Sequence, residues 1–122
     1  MDIQRIAVLV VEDDPLLRIT IIADLEDDGF QVFEAENAFE AITILDKNSS
    51  IQLMFTDIDM PGAMNGLLLA AHVRDRWPPI KIIVTSGYHR ITTKDLPVEG
   101  TFIRKPYLPE QVIRSIRELV PG

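Results

Sequence analysis

The chain has no cysteine, so disulfides and thiolate metal sites are excluded, and a reducing compartment is compatible with it. It carries only two histidines, His72, which has no acidic or histidine partner at i+4, and His89, which falls in a loop, and both read as solvated or packing residues rather than metal ligands. Basic residues are also scarce. Twelve Lys and Arg stand against nineteen Asp and Glu, a net charge of −7, and no basic patch is available for a nucleic-acid backbone. No apolar stretch approaches the length of a membrane span, and the N-terminus has neither a basic region nor an apolar run of the secretory kind. A soluble, cytoplasmic protein is expected. With 122 residues, 47% of them hydrophobic, one globular domain over residues 1–122 is predicted, with no output domain.

What the chain does have is a series of short apolar runs that stop abruptly at polar residues. Ile6 to Val11 (IAVLVV) reads as a strand buried on both faces and ends at Glu12, Asp13 and Asp14. Asp14 and Pro15 suit the cap and first turn of a helix running to about Asp28, with Leu17, Ile21 and Leu25 on one face and Gly29 closing it. QVFEA is a second strand at a sheet edge. Asn37 with Glu40 resembles a capping box for a helix carrying Ala38, Ala41, Ile42 and Leu45.

The stretch Gln52 to Pro61 (QLMFTDIDMP) is the one around which the rest is arranged. Its apolar run, Leu53 to Phe55, ends in Thr56 and Asp57, so a carboxylate stands where open α/β sheets hold their ligands, although Asp also opens turns routinely. Gly66 then starts a helix to about Arg76, with Leu69, Val73 and Trp77 on its inner side. IKIIV, residues 80–84, is a fourth strand followed by Thr85, Ser86 and Gly87, and TFIR, residues 101–104, is a fifth followed by Lys105 and Pro106. Pro109 begins a last helix with Val112, Ile116 and Leu119 inward. The segment Tyr88 to Val98 has only weak helical periodicity and is cut by Pro97. Strands alternating with helices predict a doubly wound α/β fold, a five-stranded parallel sheet in the order 2-1-3-4-5.

That order brings Glu12, Asp13, Asp57, Thr85 and Lys105 to one crevice. Carboxylates crowded together repel unless protonated or neutralised by a cation, and oxygen donors without His or Cys favour a hard ion such as Mg²⁺. A carboxylate beside a cation, with a hydroxyl and an ammonium opposite, is suited to holding a phosphoryl group, and Asp57, from the central strand, is the expected acceptor.

With VLVVEDD, DIDMP, VTSGY and FIRKPY in this order and spacing, the chain resembles the response regulator receiver domains of two-component signalling over nearly its whole length. The resemblance implies phosphorylation of Asp57 from a histidine kinase or phosphotransfer protein. It also implies Mg²⁺ on the side chains of Asp13 and Asp57, with Glu12 acting through water and Asp59 through its backbone carbonyl. Thr85 and Lys105 would bind the phosphoryl oxygens, with a cis bond between Lys105 and Pro106. A switch pairing Thr85 with Phe102 is implied too, with Phe102 lacking the hydroxyl of the tyrosine that often stands there and plain core packing as the lesser alternative for it. A downstream protein target would read the altered face. The loop after Met60 is one residue longer than the usual pattern.

Three functions compete at this point: a phosphorylation switch, a small Mg²⁺-dependent phosphohydrolase with an aspartate nucleophile, and a binding module that never takes phosphate. Ser86 and Asp59 should edge the path of an attacking water and so affect the lifetime of a phosphoryl group more than its formation. Asp24, Glu26, Asp27 and Asp28, and the pair Arg114 and Arg117, read as solvated helix faces; Tyr88 is a candidate gate to Asp57.

Overall fold

In a computed structural model describing residues 5–60, 62, 64–87 and 100–121, the chain forms the predicted α/β sandwich. The strands are β1 (Ala7–Val11), β2 (Gln31–Ala35), β3 (Ile51–Asp57), β4 (Lys81–Ser86) and β5 (Thr101–Arg104). All pair in parallel in the order β2-β1-β3-β4-β5, with β2 at an edge as its mixed pattern suggested. The helices are α1 (Pro15–Asp27), α2 (Ala38–Lys47), α3 (Gly66–Arg76) and α4 (Pro109–Leu119).

The continuous apolar runs follow from a sheet covered on both sides. Successive residues of β1 alternate between two cores: Val8 and Val10 pack with Ile21 and Leu25 of α1 and Val112 and Ile116 of α4, while Leu9 and Val11 pack with Ala41 and Leu45 of α2 and Leu69 and Val73 of α3. The helix starts are secured as the sequence indicated. Asp14 accepts from the amides of Leu16 and Leu17 and Asn37 from that of Glu40, while α3 is capped by Asn65, a residue the sequence did not single out, which accepts from Leu68. Gly29, at φ +95°, makes the left-handed exit from α1.

Three features differ from or extend the sequence expectations. First, β3 and β4 do not stop where their apolar runs stop. They continue through Thr56 and Asp57 and through Thr85 and Ser86, because each polar residue still has a neighbouring strand to pair with, and Asp57 stands in register with Thr85. Second, Arg117 is not a merely solvated charge. Its guanidinium donates to the Asp28 carboxylate at 2.7 Å and carbonyl at 3.0 Å and lies over the Phe30 ring at 4.6 Å, tying α4 to the end of α1. Third, Trp77 caps α3 rather than belonging to it, and it is half-buried with His72 edge-on at 6.1 Å, a packing role for that histidine. His89, Tyr88 and the segment to Val98 lie outside the described residues.

Gly66 positions the site. A Cβ there would overlap the backbone carbonyl of Asp57 and crowd the Cα of Ile58 at 2.7 Å, and neither can yield without moving the end of β3. Gly66→Ala is therefore expected to destabilise the protein by about 1–3 kcal/mol, measured by chemical denaturation. Wild-type stability in that variant would show that α3 can shift away from β3 without cost.

Candidate functional site

The five side chains expected at the site are delivered by strand ends. Glu12 and Asp13 follow β1, Asp57 ends β3, Thr85 lies near the end of β4, and Lys105 follows β5. Because β1, β3 and β4 are adjacent, these ends share one edge of the sheet. Glu12 and Asp57 are almost wholly buried, at 1% and 2% exposure, and Asp13 is half-buried. One oxygen from each of these three carboxylates lies within 4.8 Å of the others.

Lys105 reaches this cluster from the end of β5. Its ammonium lies 3.1 Å from Asp57 Oδ2, to which it donates a hydrogen bond, and 3.1 Å from Glu12 Oε1, an ion pair outside hydrogen-bonding angles. Asp57 Oδ1 accepts from the Asp59 amide at 3.0 Å, and Glu12 Oε2 from the Asp14 amide at 3.1 Å. A cis bond joins Lys105 to Pro106 as the resemblance implied. The Thr85 hydroxyl is buried and has no hydrogen-bond partner among the described residues.

Three carboxylates against one ammonium leave an excess of negative charge in a dry place. Burial, reinforced by the charge of Asp57, pushes the Glu12 carboxyl up to about 7 against the opposing pull of the Asp14 amide and Lys105. For Lys105 burial acts downward, yet the Asp57 and Glu12 carboxylates outweigh it and the ammonium is raised overall. The donor set is all oxygen, and Glu12 Oε1 lacks a hydrogen bond among the described residues, so the cluster fits a hard divalent cation. Asp59 is placed differently. Its carboxylate lies outside that cluster and accepts from Ser86 Oγ at 2.8 Å and the Gly87 amide at 3.3 Å, leaving only its main chain for the role expected of it.

Sequence reasoning missed three contributors. Arg18 donates to the Glu12 carbonyl at 2.7 Å and pairs with Glu34 at 3.6 Å, bracing the turn that carries the acidic pair; its spacing on α1 gave no distinctive signal. Tyr107 packs edge-on against Phe55 with ring centroids 5.6 Å apart. Its hydroxyl is buried without a partner among the described residues, and burial with the nearby Glu12 charge pushes it up to about 12. Position two residues beyond Lys105 was the available clue. The contact of Gly66 with Asp57 was hidden behind its role as a helix start. Phe102 is half-buried against the α2/α3 core, a position that leaves the choice between packing and switching open.

A family model described as the response regulator receiver domain matches residues 8–117. Chemotaxis protein CheY1 of Helicobacter pylori is 35% identical over 120 residues, covering 93% of this chain and 95% of its own. The fold matches a response regulator receiver protein from Sinorhizobium medicae with a TM-score of 0.87 at 24% identity, over 97% of this chain and 96% of that one. It also matches the response regulator TrrA of Thermotoga maritima, solved in complex with Mg(2+)-BeF, with a TM-score of 0.81 at 24% identity, over 94% and 99%. Several curated relatives are longer, and the chain spans 12% of one and 48% of another. The parallel sheet, the acidic cluster at its strand ends and a family match over most of its length together establish that this chain belongs to the response regulator receiver domains of two-component signalling.

Proposed function

We propose that Asp57 is the phosphoryl acceptor, charged from the phosphohistidine of a histidine kinase or phosphotransfer protein in the cytoplasm. The observation that carries this reading is the set of partners around Asp57: two further carboxylates, the Lys105 ammonium and an unsatisfied Thr85 hydroxyl. In the transfer an Asp57 carboxylate oxygen bonds to phosphorus, the donor N–P bond breaks, and its electron pair returns to the imidazole. Lys105 neutralises charge on the phosphoryl oxygens and Thr85 donates its hydroxyl to one of them. Glu12, Asp13, Asp57 and the Asp59 carbonyl would hold Mg²⁺, which supplies charge neutralisation at the phosphoryl oxygens when bound. The phosphorylated face around Phe102 and α4 then binds a downstream protein. With a net charge of −7 the domain surface favours a protein partner over nucleic acid, and among the described residues no helix is long and apolar enough to cross a membrane. The domain acts on its own phosphoryl group only and is no enzyme toward other substrates.

Incubation with a small phosphodonor and Mg²⁺ should label the protein with one phosphoryl per chain, and Asp57→Asn should abolish the label. Label retained in Asp57→Asn, or sustained turnover of a phosphomonoester by the wild type, would overturn the assignment in favour of another acceptor or of a hydrolase.

The raised Glu12 carboxyl gives a second prediction. The folded state holds this proton more tightly than the unfolded chain, so its contribution to stability is complete below about 4.5 and is lost as pH rises through about 7. In chelator, wild type should therefore lose stability relative to Glu12→Gln between pH 5 and pH 8, and Mg²⁺ should raise the melting temperature of wild type more at pH 8 than at pH 6. Parallel pH profiles for the two proteins, or a Mg²⁺ effect independent of pH, would contradict it.

A further inference from the structure

The two acids that follow β1 are joined by one peptide unit, made of the Glu12 carbonyl and the Asp13 amide, and its planarity makes it turn as a whole. Any such turn swings the Glu12 and Asp13 side chains relative to each other. Two contacts hold the Glu12 main chain from outside the turn. Its amide donates to the Ala35 carbonyl at 3.0 Å, which fixes the peptide unit entering Glu12. Its carbonyl accepts from Arg18 Nη1 at 2.7 Å, which fixes the unit joining Glu12 to Asp13. The second bond is charge-assisted and ends on a residue that is almost wholly buried, so it holds firmly. Arg18 is itself secured: its side chain is largely buried, its amide donates to the Asp14 carbonyl at 2.9 Å, and its Nε lies 3.6 Å from the Glu34 carboxylate on β2.

Resting on the reading of Glu12, Asp13 and Asp57 as the Mg²⁺ site, we propose that Arg18 is a positioning residue that fixes the spacing of the acidic pair and with it the preference of the site for Mg²⁺ over larger divalent cations. Mg²⁺ demands oxygen ligands at near-ideal octahedral positions, whereas Ca²⁺ accepts a looser and more variable shell. Carboxylates free to rock with their shared peptide unit still satisfy the looser requirement and fail the stricter one. Charge alone acts in the opposite sense. A guanidinium beside Glu12 repels a divalent cation, so loss of its charge without loss of position would tighten the binding of every such ion. The sign of the change and its dependence on the ion therefore separate positioning from charge.

The protein, freed of metal with chelator, would be titrated calorimetrically with MgCl₂ and separately with CaCl₂, with thermal unfolding as the check on folding. Arg18→Met keeps most of the apolar stem and removes both the charge and the donors. It should weaken Mg²⁺ binding roughly tenfold, the size typical of losing a group that orients a metal ligand, and Ca²⁺ binding less than about threefold. Arg18→Lys keeps the charge and loses the fork that spans the Glu12 carbonyl and Glu34, so it should lower the ratio of Mg²⁺ to Ca²⁺ affinity in the same direction by a smaller factor. It also carries the test should Arg18→Met fail to fold. Mg²⁺ affinity unchanged or tightened in Arg18→Met overturns the proposal. Equal weakening of both ions overturns it too, since that would trace the loss to a general loosening of the turn, and so does an unchanged ratio in Arg18→Lys. Failure of the wild type to bind Mg²⁺ overturns the metal reading itself, and this proposal with it.

Discussion

The structure depends on a concentration of negative charge that it builds and only half neutralises. Two nearly buried carboxylates and a third at the rim share a few ångströms with one ammonium, and like charges at such separation in a dry environment repel strongly. A protein selected for stability alone would replace such a cluster with apolar side chains. Here the cost is held locally by Lys105, by the Asp14 and Asp59 amides, and by a Glu12 that keeps its proton more readily than usual. Each of these is a hydrogen bond, an ion pair or a proton, contacts that can be exchanged without breaking a covalent bond.

The rest of the chain supplies rigidity to that cluster. A parallel sheet with two apolar cores fixes the directions of its strand ends, so Asp57 cannot retreat from its neighbours. Gly66 lets α3 start directly against the Asp57 carbonyl, and Arg18 braces the Glu12 main chain from α1. Far from the site, Arg117 clasps Asp28 and Phe30 and joins the two helices on one face. The site is therefore preorganised by side chains that take no part in its chemistry.

The architecture was legible because buried parallel strands write themselves as unbroken Val, Ile and Leu runs, and four of the runs here end at carboxylate, hydroxyl or ammonium tips. Glu12, Asp13, Asp57, Thr85 and Lys105 could be grouped from strand order alone. Contacts whose partners are set by rotamer and packing were not legible. Nothing in the spacing of Arg117 announces Asp28, eighty-nine residues away, or Phe30 beneath its guanidinium. The direction taken by the Asp59 carboxylate was equally hidden, since an acid two residues past Asp57 could as well have joined the cluster. Strand ends were underestimated because polar residues such as Thr85 and Ser86 signal a loop by composition, whereas pairing with β5 and β3 keeps them in the sheet.

Thr85 joins these observations into one argument about switching. A ligand moves a conformational equilibrium only by the free energy with which it prefers one state over the other. A buried hydroxyl without a partner costs about 1–3 kcal/mol, and Thr85 carries that cost among the described residues. On the proposed reading, a phosphoryl oxygen on Asp57 would relieve it in any conformation that brings the hydroxyl within reach, a preference of roughly 5- to 150-fold. Thr85 follows Val84, which stands in register with Phe102 on β5, so any such movement would begin one residue from that contact. Ser86, the next residue along, is bonded through its main chain to Lys105 and through its side chain to Asp59. Two adjacent residues of one strand end thus link the surroundings of Asp57 to β5, to Lys105 and to Asp59.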